Sequence, residues 1–169
     1  MATVLKKEDR KFEENPGRVD PFRLCSDVSK VKSGINPRNL NFDLRQLNPQ
    51  QFSSLYHFHR NAEELFMVLS GSMTLRTPQG LEVVSEGDLV FFEIGETGAH
   101  QFFNHTSEPC VYLDIRTFLD VDVCEYPDSG KILIAPTFDV FSKEPRLGLF
   151  DGEEQVIEKW KELEEGSQP

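Results

Sequence analysis

The sequence is poor in several of the features that usually declare a function. Cysteine is scarce: Cys25, Cys110 and Cys124 are odd in number and far apart, with no Cys-x-x-Cys pair. That argues against a disulfide framework or a zinc clip and points to free thiols in a reducing compartment. Basic charge is scarce too, with 18 Lys plus Arg against 29 Asp plus Glu and a formal net charge of −11. Such a surface repels phosphate backbones, so no nucleic-acid partner is expected. No segment approaches the ~20 apolar residues of a membrane helix. Met1 to Asn15 is charged and carries no apolar run, so no signal peptide is expected. There is no internal repeat and no helix-turn-helix pattern. These absences leave a cytoplasmic protein without membrane association as the expectation.

Aromatic rings and short patterned stretches are present instead. The 169 residues are one domain's worth of chain and include 14 Phe, a ring that suits strands. Residues 1–33 read as a polar N-terminal arm packing on the rest. From about residue 34 to 140 the chain reads as short strands separated by turns. Leu40, Phe42 and Leu44 alternate as in a half-buried strand, and Leu65 to Leu69 is a continuous apolar run. Thr77-Pro78-Gln79-Gly80 and Ser85-Glu86-Gly87-Asp88 are turns. Cys110 to Phe118 is a further strand, and Val121 to Tyr126 and Lys131 to Ala135 are the last two. Many short strands between turns predict an all-β sandwich or closed barrel. Residues 141–169 differ. Asp151 as N-cap and Glu154 three residues on form a capping-box pattern, and Val156, Ile157, Trp160 and Leu163 share a helical face. A short C-terminal helix over about 152–165 follows, with its Trp160 stripe packed on the barrel or on a partner.

The chemistry-bearing stretch is Tyr56-His57-Phe58-His59-Arg60-Asn61-Ala62-Glu63-Glu64, closed by Gly71. Side chains on a strand alternate faces, so His57 and His59 point the same way and can grip one metal ion. Glu63 or Glu64 can return from the next strand to the same ion. His100 opens a second patterned stretch, with Phe102 and Asn104 on its face and His105 on the other. Manganese, iron, nickel and zinc all accept imidazole and carboxylate ligands. Phe66, Phe91 and Phe102 read as core. Tyr112, Asp114 and Arg116 alternate against Val111, Leu113 and Ile115; the expectation is that the apolar set faces the barrel and the polar set faces water. Cys124, Tyr126 and Lys131 read as flanking a surface turn at Pro127 to Gly130.

The spacing resembles that of the cupins. Their first motif, G-x5-H-x-H-x(3,4)-E-x6-G, is matched by His57, His59, then four residues, Glu64, six residues and Gly71. Only Glu64 leaves six residues before Gly71, so it is preferred over Glu63. The second motif, G-x5-P-x-G-x2-H-x3-N, is followed by Gly87, Glu93, Gly95, His100 and Asn104. Gln51 stands where the first glycine is expected, Glu93 replaces the proline, and the loop before His100 is two residues longer. The resemblance implies a small single-domain cupin: a double-stranded β-helix, or jelly-roll, barrel. It also implies one divalent metal ion, Mn, Fe, Ni or Zn, held by His57, His59, Glu64 and His100.

Such a ligand set leaves coordination positions open for water or substrate. The expected function is therefore a metal-dependent isomerase, lyase or dioxygenase acting on a sugar, sugar acid or keto acid. The alternative is a non-catalytic binding module for a small sugar or acid with the metal as anchor. No residue is assigned as catalytic. The expected partners are a small-molecule ligand and a second copy of the chain in a homodimer.

Overall fold

The structure is a computed structural model and describes residues 2–117 and 120–166. Its strands, in chain order, are β1 (Phe12–Glu14), β2 (Leu24–Asp27), β3 (Leu40–Leu47), β4 (Phe58–His59), β5 (Glu64–Ser70), β6 (Ser72–Thr77), β7 (Gly80–Ser85), β8 (Leu89–Phe92), β9 (Gln101–Phe103), β10 (Cys110–Thr117), β11 (Asp122–Tyr126), β12 (Lys131–Ala135) and β13 (Asp139–Ser142). A short helix α1 (Ser29–Lys32) follows β2, and α2 (Val156–Gly166) is the last element. The all-β expectation is borne out. The expected end of the Cys110 strand, Phe118, lies outside the described residues.

The strands form three antiparallel sheets. One has the order β1-β2-β3-β10-β5-β8, one β13-β12-β11-β4, and one β7-β6-β9. Isolated bridges Phe52↔Phe103 and His57↔His100 carry the extended segment before β4 alongside β9. The sheets wrap one apolar core. Leu24, Leu47, Phe66, Val68, Phe92 and Tyr112 enter from the six-stranded sheet, and Met73, Leu75, Val84 and Phe102 from the three-stranded one. Alternation explains who enters: on β5, Phe66 and Val68 are buried while Met67 between them is exposed. The same rule corrects one expectation. Phe66 and Phe102 are core, but Phe91 is 56% exposed and its neighbour Phe92 fills the interior.

Two glycines set the geometry around the site. Gly71 joins β5 to β6 with φ +80°, and a Cβ there would sit 3.0 Å from the Pro109 carbonyl oxygen. Both the left-handed backbone and the close approach require glycine. Gly98 precedes His100, and a Cβ on it would lie 1.9 Å from the Glu93 carbonyl oxygen. No side chain fits there, which lets the loop fold flat before His100.

The C-terminal helix departs from its expected start. It begins at Val156, because Asp151 and Glu154 do not cap it. The Asp151 carboxylate accepts from the Gly148 amide at 2.6 Å, and Glu154 accepts from the Gly152 amide at 3.2 Å. Both acids serve the turn before the helix. Val156, Ile157 and Trp160 are exposed, so this stripe is not covered by the chain's own barrel. The side chain of Leu163 lies outside the described residues. The three cysteines are free, as expected, and all three are buried.

Candidate metal centre

Four side chains meet where the sheets come together. His57 and His100 are tied backbone to backbone, His57 N–H donating to His100 O at 3.2 Å and His100 N–H to His57 O at 2.8 Å. Their ring centroids are 4.7 Å apart. His59 lies on β4, and its ring is 5.1 Å from that of His57, as the two-residue spacing on one face requires. Glu64 is the first residue of β5, flanked in register by Arg116 of β10 and Phe92 of β8. Donor atoms of His57, His59 and Glu64 lie within 4.8 Å of one another. Glu64 Oε2 is 3.5 Å from His59 Nε2 and 3.2 Å from His100 Nε2. The structure thus brings together all four residues expected from the sequence. Glu63 is exposed, and its amide is committed to Thr117. His105 is also outside, against the Thr74 hydroxyl.

Each imidazole uses its other nitrogen for support. His57 Nδ1 bonds Leu55 O at 2.9 Å, His100 Nδ1 bonds Gly98 O at 2.9 Å, and His59 Nδ1 bonds the Asp122 carboxylate. A carbonyl or carboxylate can only accept, so Nδ1 carries the proton in all three and the Nε2 lone pairs point inward. This is the arrangement by which metal-ligating histidines are oriented. Among the described residues, two inward atoms, His59 Nε2 and Glu64 Oε2, are buried without a hydrogen-bond partner. Imidazole and carboxylate ligand atoms converging on one buried point, two of them without a hydrogen-bond partner, fit a cation, and the set fits a first-row divalent metal.

The electrostatics follow from burial. Burial pushes His100 down to about 4, and it holds His57 well below its ordinary value, helped by the neighbouring His100 and His59. Both are neutral at pH 7, the form in which imidazole ligates a metal. Burial lifts Glu64 to about 7 against the pull of His59. For His59 burial works towards neutrality, but the Asp122 carboxylate and the Cys124 sulfur outweigh it and raise the group to about 10, so without an ion Nε2 also holds a proton, which a ligated cation would displace.

Sequence reading missed the support around these groups. Asp122 and Cys124 lie on β11 beside His59, with Cys124 Sγ 3.3 Å from His59 Nδ1. Alternation along β11 was the available signal, since Asp122, Cys124 and Tyr126 share one parity. Tyr126 stacks on His57 at 5.9 Å. These residues therefore back the site instead of merely flanking a surface turn. The larger correction concerns β10. Its polar set faces inward: Tyr112 is 2% exposed, and Asp114 and Arg116 line a cavity of about 100 Å³ that also contains His57, Glu64 and His100. Asp114 is tolerated there because Arg45 donates to it at 3.3 Å. A separate cavity of about 400 Å³, between Tyr56, Phe58, Glu125 and Lys143, contains none of the four converging residues.

An antiparallel barrel-like sandwich with an inward His/His/Glu/His cluster defines a double-stranded β-helix protein with a candidate metal centre. Residues 44–116, a little under half of the chain, match the family model for the cupin domain. The chain's structure is similar to that of a protein from Acidithiobacillus ferrooxidans assigned provisionally as a sugar phosphate isomerase. The two are 26% identical with a TM-score of 0.75, covering 86% of this chain and 96% of that one. A cupin-superfamily sugar phosphate isomerase from Silicibacter pomeroyi superposes with a TM-score of 0.73 at 23% identity, covering 88% of this chain and 98% of that one. The polyketide cyclase RemF of Streptomyces resistomycificus matches with a TM-score of 0.53 at 24% identity, over 69% of this chain and 80% of its own. The last two likenesses are of fold. No curated protein matches the sequence.

Proposed function

We propose that this protein is a metal-dependent isomerase-type enzyme acting on a small oxygen-rich substrate, a sugar or sugar acid. His57, His59, Glu64 and His100 would hold one divalent ion. The observation that carries this reading is the pair of buried ligand atoms, His59 Nε2 and Glu64 Oε2, that lack a hydrogen-bond partner among the described residues, with His100 Nε2 directed at the same oxygen. The reaction class is supported by the likeness to the Acidithiobacillus ferrooxidans protein.

The bound ion would supply Lewis acidity, polarising a substrate carbonyl or hydroxyl. The chain's own residues do the rest. Asp122, Leu55 O and Gly98 O hold the Nδ1 protons of the three imidazoles and so fix the tautomer and ring orientation. Phe92, stacked on His100 at 3.7 Å between centroids, and Phe66 close the inner side of the site and exclude water there. The small polar cavity beside Glu64 is where substrate oxygens would lie.

Elemental analysis of the purified protein tests the centre. Wild type should carry about one equivalent of a first-row divalent metal, and a His57→Ala/His59→Ala variant should carry almost none. Equal metal in both would sink the assignment. Turnover of an aldose or ketose by the loaded protein separates an enzyme from a module that binds the sugar and leaves it unchanged.

A further inference from the structure

Arg18 is an arginine without a partner in a molecule that has few to spare. It lies in the loop between β1 and β2 and lines the same small cavity as Glu64 and His100. Among the described residues its guanidinium makes no hydrogen bond and no ion pair. Arg116 also lines this cavity and, among the described residues, has only a long 3.8 Å contact, to Glu64 Oε1. The third cavity arginine, Arg45, is already spent: it donates to Asp114, Ser26 and Asp43. Asp114 is spent with it. The carboxylate left is Glu64, whose Oε2 belongs to the candidate metal centre. Two guanidiniums with unused donors therefore face a small polar cavity in a chain of net charge −11. Guanidinium donors match the geometry of a carboxylate or phosphate and bind it bidentately.

The loop that carries Arg18 is pinned in place. Phe52 N–H donates to Pro21 O at 2.8 Å, and Phe22 packs on Phe52 at 5.8 Å between centroids. Gln51 adds a clamp from both ends of its amide: Oε1 accepts from the Arg23 amide at 3.0 Å, and Nε2 donates to Asp20 at 3.0 Å. Gln51 is the residue that stands where the first cupin motif has a glycine. A glycine there has no side chain with which to hold the loop.

We propose that Arg18 and Arg116 form an oxyanion subsite beside the metal centre, that the substrate carries a carboxylate or phosphate, and that Gln51 positions the Arg18 loop for it. The inference rests on the functional reading above for its metal centre. It adds that the N-terminal arm completes the substrate site. Arg18 touches the substrate's anionic group, and Gln51 acts through Arg18.

The test uses the full chain loaded with Mn²⁺, titrated calorimetrically with D-glucose 6-phosphate, D-gluconate, inorganic phosphate and uncharged D-glucose. At least one of the anions should bind wild type, and Arg18→Ala should weaken it by about tenfold or more, the loss expected when a charge-assisted bidentate contact goes. Arg18→Lys should recover part of the affinity, and Gln51→Gly should lose a few-fold. Metal content and any D-glucose binding should be the same in all these variants. Whether the phosphate or the carboxylate ligand loses more to Arg18→Ala identifies the natural anion. Equal anion affinity in wild type and Arg18→Ala, or no anion binding at all, overturns the subsite. A chain that retains no metal but still binds anion through Arg18 overturns the metal reading and leaves the subsite standing.

Discussion

At the scale of single residues, the site is a set of inward lone pairs held by outward protons. Asp122 matters as much as its position behind His59 suggests. Removing such a supporting acceptor typically lowers metal affinity by about 10–100-fold while leaving the ligands in place. Asp122→Ala should therefore bind metal at full stoichiometry when metal is saturating, yet lose it far sooner to a chelator such as EDTA; unchanged chelator sensitivity would reject the role. A second buried acid makes a different prediction. Glu125, 2% exposed, is clasped by Arg60 and Lys143. Burial alone would raise its pKa, but the hydrogen bonds from Lys143 and Arg60 more than reverse this and hold it below 4.5. A depressed carboxylate stabilises the fold above its unfolded pKa and loses that contribution as pH falls through the folded value. Glu125→Gln mimics the protonated state. Its melting temperature should fall below wild type at pH 7, and the gap should close as pH drops below about 4.5.

At the scale of elements, β10 decides which chemistry the cavity has. It lies between β3 and β5, and its register places Arg116 beside Glu64 and Asp114 beside Phe66. A register shift at Val111/Tyr112 interrupts the pairing with β5, yet the alternation of faces persists along the rest of the strand. The expectation that the apolar parity faces inward is overturned because the other side of this sheet is apolar as well. Phe42, Ile115, Leu65 and Phe91 run across it in one row, and Leu44, Leu113, Met67 and Leu89 in another. Apolar parity names the buried face only when the opposite face is polar, and here it is not. The β5–β6 turn makes the element-scale prediction. Gly71→Ala forces a left-handed residue with a side chain against the Pro109 carbonyl. It should destabilise the fold by about 1–3 kcal/mol, seen as a lower melting temperature, with metal stoichiometry intact in the folded fraction.

At the scale of the whole molecule, the two apolar rows are a patch that a monomer would leave in water. Met67, Leu89 and Phe91 are 36%, 64% and 56% exposed. Contiguous patches of this kind mark association surfaces. We propose a second copy of the chain as the occupant, which would also cover sheet edge β8. Light scattering at micromolar protein should give twice the 19.4 kDa chain mass, and Phe91→Asp should return the monomer. A monomeric wild type would reject the dimer. The exposed stripe of Val156, Ile157 and Trp160 on α2 is not covered by its own barrel, and nothing in the structure identifies what covers it.

The sequence by itself determined the strand-rich class, the His57/His59 face and the choice of Glu64 over Glu63. The first two follow from period, which is local, with alternation fixing the pair of histidines; Glu64 follows from its distance to Gly71 in the cupin motif that the chain resembles. It also carried the cupin likeness, because turn glycines and ligand spacing are written along the chain. The tertiary structure alone decided the rest. Asp122 supports His59 from 63 residues away, and Arg18 reaches the same cavity from the N-terminal arm. The capping pattern at Asp151 failed because nearby turn amides offered those carboxylates a competing use. The inward face of β10 could not be read from parity, since both of its faces are covered or patterned. Local pattern specifies which atoms share a side; only packing specifies what that side meets.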